Sequence, residues 1–174
     1  MTRLRRGYDP VVPEPPKLRR CVDRLVFVAP IRFALAAICL GCALAAGAME
    51  PGALVAFVLG CFGLALAALT DRRAVLLGRA ERLPVPDGSH FVGRWDAALS
   101  ACVPSTVAVT GMSLLALIVE PTLAALLAGA VAGLGVAGLL MGLQVALQER
   151  EEHIWLYVAG GGPRVLYEQP TPAP

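Results

Sequence analysis

Residues 121–145 read PTLAALLAGAVAGLGVAGLLMGLQV, without one charged side chain. At 1.5 Å per residue a helix of this length spans about 37 Å, enough for the ~30 Å hydrocarbon layer of a bilayer. The run is apolar on every face, as expected of a helix surrounded by lipid or by other helices. Working outward, three more stretches qualify as spans: about 31–49, uncharged after Arg32; 52–70, stopped by Asp71-Arg72-Arg73; and 97–119, between Asp96 and Glu120. Composition agrees. Of 174 residues 57% are hydrophobic, 18 are glycine and 16% are charged, against ~25% charged in a soluble domain. Mean hydropathy is +0.68. A soluble globule of this size cannot hide so much apolar surface, and a disordered chain would not carry it. The expected fold class is an all-α integral membrane protein, a bundle of four transmembrane helices made of two tandem hairpins.

The basic residues give the orientation. Eight precede or open the first span (Arg3, Arg5, Arg6, Lys17, Arg19, Arg20, Arg24, Arg32). Five lie between spans two and three (Arg72, Arg73, Arg79, Arg82, Arg94), and Arg150 and Arg164 follow span four. These are all 15 of the chain's Lys and Arg, so the other two connections carry none. Because positive charge is retained on the cytoplasmic side, both termini are expected there. The chain then divides into a basic, Pro-rich cytoplasmic tail (1–28), a transmembrane domain (29–145) with a cytoplasmic loop (71–96), and a cytoplasmic tail (146–174). Fourteen of the 15 basic residues are Arg, which with the Ala/Gly/Leu/Val bias suggests a GC-rich bacterial genome and hence the bacterial inner membrane.

The outer turns are short. Met49-Glu50-Pro51-Gly52 and Val119-Glu120-Pro121-Thr122 stand 70 residues apart, and at the same offset Gly63 meets Gly133. The similarity fits either a duplicated hairpin or convergence on a good helix start, with Pro in the first turn and Glu near the positive dipole end. Two carboxylates at equal depth are the functional alternative, as a cation site. The outer turns have no room for a receptor or hydrolase.

Span four carries small residues at helical spacing: Ala125, Gly129, Gly133 and Ala137 on one ridge, Gly138 and Gly142 on a second. Such ridges let backbones approach closely, which in lipid replaces the hydrophobic drive to associate. Span three has a polar stripe, Cys102, Thr106, Thr110 and Ser113, at i, i+4, i+8 and i+11, with Pro104 expected to bend the helix. The stripe suits either helix packing or the lining of a hydrated or ligand-holding cavity. No ionisable residue is expected well inside a span, which disfavours a proton-coupled transporter.

Cys39 and Cys42 form a CxxC, the spacing of thiol-disulfide enzymes. In size and span number the chain is similar to the quinone-linked disulfide-generating membrane enzymes and the vitamin K epoxide reductase family. That resemblance implies a thiol oxidoreductase. In those families, however, the pair lies near the outer end of a later span and is served by a second cysteine pair. Here it falls about 12–16 Å from Glu50 along the first span, and no outer loop holds a cysteine. Cys39-Leu40-Gly41-Cys42 also loosely resembles a lipoprotein cleavage box, but its leader is longer than an ordinary n-region and three spans follow. His90 and His153 are 63 positions apart, so no metal centre is expected, and Gly160-Gly161-Gly162-Pro163 lacks the Lys-Ser/Thr of a phosphate loop. No cofactor is expected.

On the cytoplasmic side, Pro10, Pro13 and Pro16 make an extended spacer. Arg19, Arg20, Arg24, Arg72, Arg73, Arg79 and Arg82 are candidates for anionic lipid headgroups, at ~1 kcal/mol each. Leu83-Pro84-Val85-Pro86-Asp87-Gly88 breaks the middle loop, and Trp95 marks the headgroup level. Ile154–Val158 and Arg164–Tyr167 have strand composition and read as a β-hairpin, which alone is marginal and needs a support. With no nucleophile–base set and no nucleic-acid motif, the leading expectation is a non-catalytic accessory or scaffold subunit. Its partners would be the bilayer and a membrane protein or a second copy. The alternatives are a small transporter or lipid-handling protein and, third, the thiol oxidoreductase.

Overall fold

The computed structural model of the chain describes residues 16–47, 51–78, 81–103, 105–159 and 165–171, with 71–78 and 101 described in backbone only. It is mostly helical with one small sheet. Strand β1 (Lys17–Arg20) leads into α1 (Cys21–Val26) and α2 (Val28–Ala45); α3 runs Pro51–Gly78. Strands β2 (Glu81–Pro84) and β3 (His90–Phe91) follow, then α4 (Arg94–Cys102), α5 (Ser105–Val119), α6 (Pro121–Glu152), and strands β4 (Ile154–Ala159) and β5 (Val165–Pro170).

Three helical segments are long and apolar enough to cross a membrane: Cys21–Ala45, Pro51–Thr70 and Pro121–Glu152. A fourth exists if Arg94–Ser100 and Ser105–Val119, which meet at a 51° bend, count as one. Such helices are compatible with a membrane-embedded protein. Pro51 and Pro121 each occupy a first helical position, where a missing N–H costs nothing. Pro104, to which a bend was attributed, lies outside the described residues.

Helix α6 is the axis. Its most apolar stretch is 61% buried, against 17% for α3, and it contacts α1, α2, α3 and α5. Glycine makes this closeness possible. A Cβ on Gly129 would overlap the Phe57 backbone, one on Gly133 the Cys61 carbonyl, and one on Gly60 the Leu126 carbonyl, so α3 and α6 touch backbone to backbone. On the other side of α6, Gly135 receives the Phe33 ring, Gly138 the Leu25 carbonyl and Gly142 the Val26 side chain. Outward faces are apolar instead: Leu59, Phe62 and Leu66 on α3, Leu115, Ile118 and Val119 on α5, and Leu143 and Leu147 on α6 are all exposed.

The sheet has order β2-β5-β4-β1-β3. The expected hairpin is present as β4 and β5, antiparallel with Tyr157 opposite Tyr167. It is not a lone hairpin. β1 adds antiparallel to β4 (Arg19 opposite Val158), β2 parallel to β5 (Arg82 opposite Leu166), and β3 parallel to β1. Residues 17–20, read as tail, are thus an inner strand, and 81–84, read as a loop breaker, are an edge strand, the place where a sheet tolerates proline. Gly88, at φ +79°, turns the chain between β2 and β3 with the Ser89 N–H donating to the Pro86 carbonyl. The support for the sheet is the helix ends: Cys21 and Leu25 of α1, Met141 and Val145 of α6, and Leu156, Val158 and Leu166 of the strands form one buried cluster.

The first span needs correction. Its helix begins at Cys21 and not near residue 31, with a break at Phe27; Pro30, lacking an N–H, cannot bond back toward residue 26 there. This shift places Arg32 well inside.

Candidate functional site

Arg32 overturns the expectation that spans contain no ionisable residue. It is 3% exposed. Its Nε donates to Thr106 Oγ1 at 3.0 Å and its Nη1 to the Leu134 carbonyl at 2.9 Å, so one guanidinium joins α2, α5 and α6. Leu134 lies thirteen steps, or about 20 Å, from the start of α6 and about 27 Å from its end; this is mid-helix. A sequence window starts a span after the last charge, which is why Arg32 read as the mouth. A buried guanidinium stays charged, so its fork must be met by acceptors, and the Thr106 hydroxyl is one of them.

The polar stripe is divided between α4, which holds Cys102, and α5, which holds Thr106, Thr110 and Ser113. Ser113 Oγ donates to the Ala124 carbonyl at 3.0 Å, and Cys102 packs with Val28 and Ala98. The Thr110 hydroxyl is buried and without a hydrogen-bond partner. Thus Thr106 is bonded to α2, Ser113 to α6, and Cys102 packs beside α2. The six small residues of α6 (Ala125, Gly129, Gly133, Ala137, Gly138, Gly142) are all buried within the chain, so that face is covered by this chain's own helices.

All five cysteines are free, and Cys39 and Cys42 differ in setting: the first is buried and the second exposed. Glu120 is exposed, while Glu50 lies outside the described residues. Among the described residues no three His, Cys, Asp or Glu side chains gather as a metal site would require.

The second polar node ties the sheet to α6. Glu149, 5% exposed, accepts from Arg20 Nη2 at 2.8 Å and from the Leu156 N–H at 2.9 Å. Burial lowers the Arg20 pKa, but the hydrogen bond and charge of Glu149 outweigh it and the net shift is upward. Arg20 also lies over the Trp155 ring, 5.0 Å from its centre. Three further pairs join segments distant in sequence: Arg82 with Glu152 (2.7 Å), Arg82 with Glu168 (3.2 Å), and Arg94 with Asp23 (3.5 Å). Phe27 and Trp95 meet edge to face at 5.7 Å beside the last of these.

Of the headgroup candidates, then, Arg20 and Arg82 hold internal ion pairs, and Arg19 lies half-buried in β1 with its Nε buried and without a hydrogen-bond partner. Arg24 sits half-buried in the last turn of α1. Arg79 and the side chains of Arg72 and Arg73 lie outside the described residues. Arg32, Glu149 and the cleft beside it, about 500 Å³, were missed by sequence reading. Arg20, Arg150, His153 and Trp155 line that cleft, with Val22 and Ala146 as its apolar wall. No local signal links residues 129 positions apart. Compared with protein-family models, curated proteins and solved structures, the chain matches none of them.

Proposed function

We propose that the chain is a multi-pass protein of a bacterial inner membrane with both termini in the cytoplasm, acting as a non-catalytic accessory or scaffold subunit. The observation that carries this reading is the five-stranded sheet. Its strands come from the segment before the first span, the loop between α3 and α4, and the segment after α6. One sheet cannot have strands on two sides of a bilayer, so these segments share a side. They are also the segments that hold the basic residues, and positive charge favours the cytoplasm. Four crossings, with α4–α5 as one bent span, satisfy this; three do not.

The scaffold reading draws on where the polar groups are spent. Arg20, Arg32, Arg82 and Arg94 each link elements far apart in sequence, which is how a rigid platform is made. The apolar faces of α3 and α5 meet lipid or a neighbouring membrane protein, since the small-residue ridges of α6 are already covered.

Reporter fusions at residues 50 and 120 should register outside and fusions after residue 171 inside; a cytosolic signal from residue 50 or 120 overturns the topology. Purification from native membranes in mild detergent should return a stoichiometric complex, and a lone monomer would overturn the accessory reading. Deleting 154–174 should disrupt the platform itself, because it removes two of the three inner strands and uncovers Leu25, Met141 and Val145.

A further inference from the structure

The cleft beside Glu149 is unused by the reading above. Its charged lining is Arg20, Glu149 and Arg150, two arginines against one carboxylate, with His153 beside them. Glu149 is already satisfied by two donors, and a single guanidinium nitrogen of Arg20 is engaged by it. Arg150 is exposed. His153, at φ 53° and ψ 40°, ends α6 in the left-handed conformation that non-glycine residues rarely adopt. Its carbonyl accepts the Thr171 N–H at 3.0 Å, which brings the end of β5 to the rim. The cleft therefore presents a net positive charge, planar guanidinium donors and a hydroxyl, the set that suits a phosphate ester.

Its position favours a lipid as the bearer. The wall is Val22 and Ala146, and on α6 Leu143, one turn before Ala146, and Leu147, next to it, are exposed at 58% and 49%. A phosphate in the cleft would leave its acyl chains beside these leucines. Trp155, half-buried and stacked under Arg20, is the aromatic expected at headgroup depth. We infer that this cleft holds the phosphate of an anionic phospholipid headgroup, a bound lipid that joins the end of α6 to the sheet. The inference rests on the membrane reading above.

The test uses the full chain in phosphatidylcholine nanodiscs doped with phosphatidylglycerol, with native mass spectrometry counting retained lipid. Phosphatidylglycerol should be retained over phosphatidylcholine. One basic residue near an anionic lipid accounts for about a fivefold preference; R150Q should lose that factor, R150K should keep most of it, and R94Q, outside the cleft, should change nothing. Equal retention of the two lipids, or a preference that R150Q leaves intact, overturns the site. Displacement of phosphatidylglycerol by added inorganic phosphate overturns the lipid assignment in favour of a soluble phosphate. Carbonate extraction of the same protein separates the two levels: an extractable chain fails the membrane reading and this one together, whereas an integral chain without lipid preference fails this one alone.

Discussion

Replacing Thr106 with valine removes one hydroxyl from the middle of the helix assembly and changes little in shape. The hydroxyl accepts from Arg32 Nε at 3.0 Å, and both residues are buried. In a water-soluble core a hydrogen bond to a charged group contributes about 1.5–3 kcal/mol. Between membrane helices measured couplings average about 0.6 and reach about 1.7 kcal/mol, because the unfolded chain in the bilayer finds other partners. A charge-assisted bond at 3% exposure belongs at the upper end of that membrane range, so T106V should cost about 1–2 kcal/mol. Arg32→Met keeps length and removes the charge together with its need for acceptors, so in that background T106V should be nearly neutral. The assay is a double-mutant cycle on the reconstituted protein, unfolded by SDS in mixed micelles, with T106S as the variant that keeps the hydroxyl. Equal effects of T106V in both backgrounds, within the ~0.3–0.5 kcal/mol of ordinary additivity, would show that Arg32 does not depend on α5.

Other outcomes can be checked separately. Gly133→Leu drives a side chain into the Cys61 carbonyl and must part α3 from α6, for about 3 kcal/mol or more, whereas Gly63→Ala and Gly111→Ala, where a Cβ meets nothing, should gain up to about 1 kcal/mol of helix propensity; the same SDS titration reads both. Leu156→Ala empties the cluster between sheet and helix ends and should cost about 2–5 kcal/mol, seen as faster hydrogen exchange across β4 and β5. Glu149→Leu strands Arg20 and the Leu156 N–H, and limited proteolysis should then cut between β4 and β5 with the apolar helices intact. Burial raises the Tyr157 phenol above the ordinary tyrosine value, Arg20 opposing it. Its neutral form is thus favoured by folding, so its contribution is complete below pH ~10 and is lost as pH climbs through the raised value. Y157F should remove that alkaline limb from a stability–pH profile.

Hydropathy and helical spacing were enough to locate the apolar helices, the proline starts at Pro51 and Pro121, the close-packing glycines of α6 and the strands of the C-terminal hairpin. Each of these is a local property: a run long enough for a bilayer, a residue without an N–H at a helix start, a missing Cβ at i and i+4, an alternation with turn residues between. The pairing of residues far apart was decided by tertiary structure alone. Nothing local marks Lys17–Arg20 as the inner strand beside β4 or Glu81–Pro84 as the parallel partner of β5, since their own composition reads as charged tail and loop. Likewise Arg32 looked like a boundary charge until α5 and α6 closed over it with a hydroxyl and a carbonyl. A charge in a sequence is solvated by default; only the folded chain supplies the acceptors that allow it to be buried.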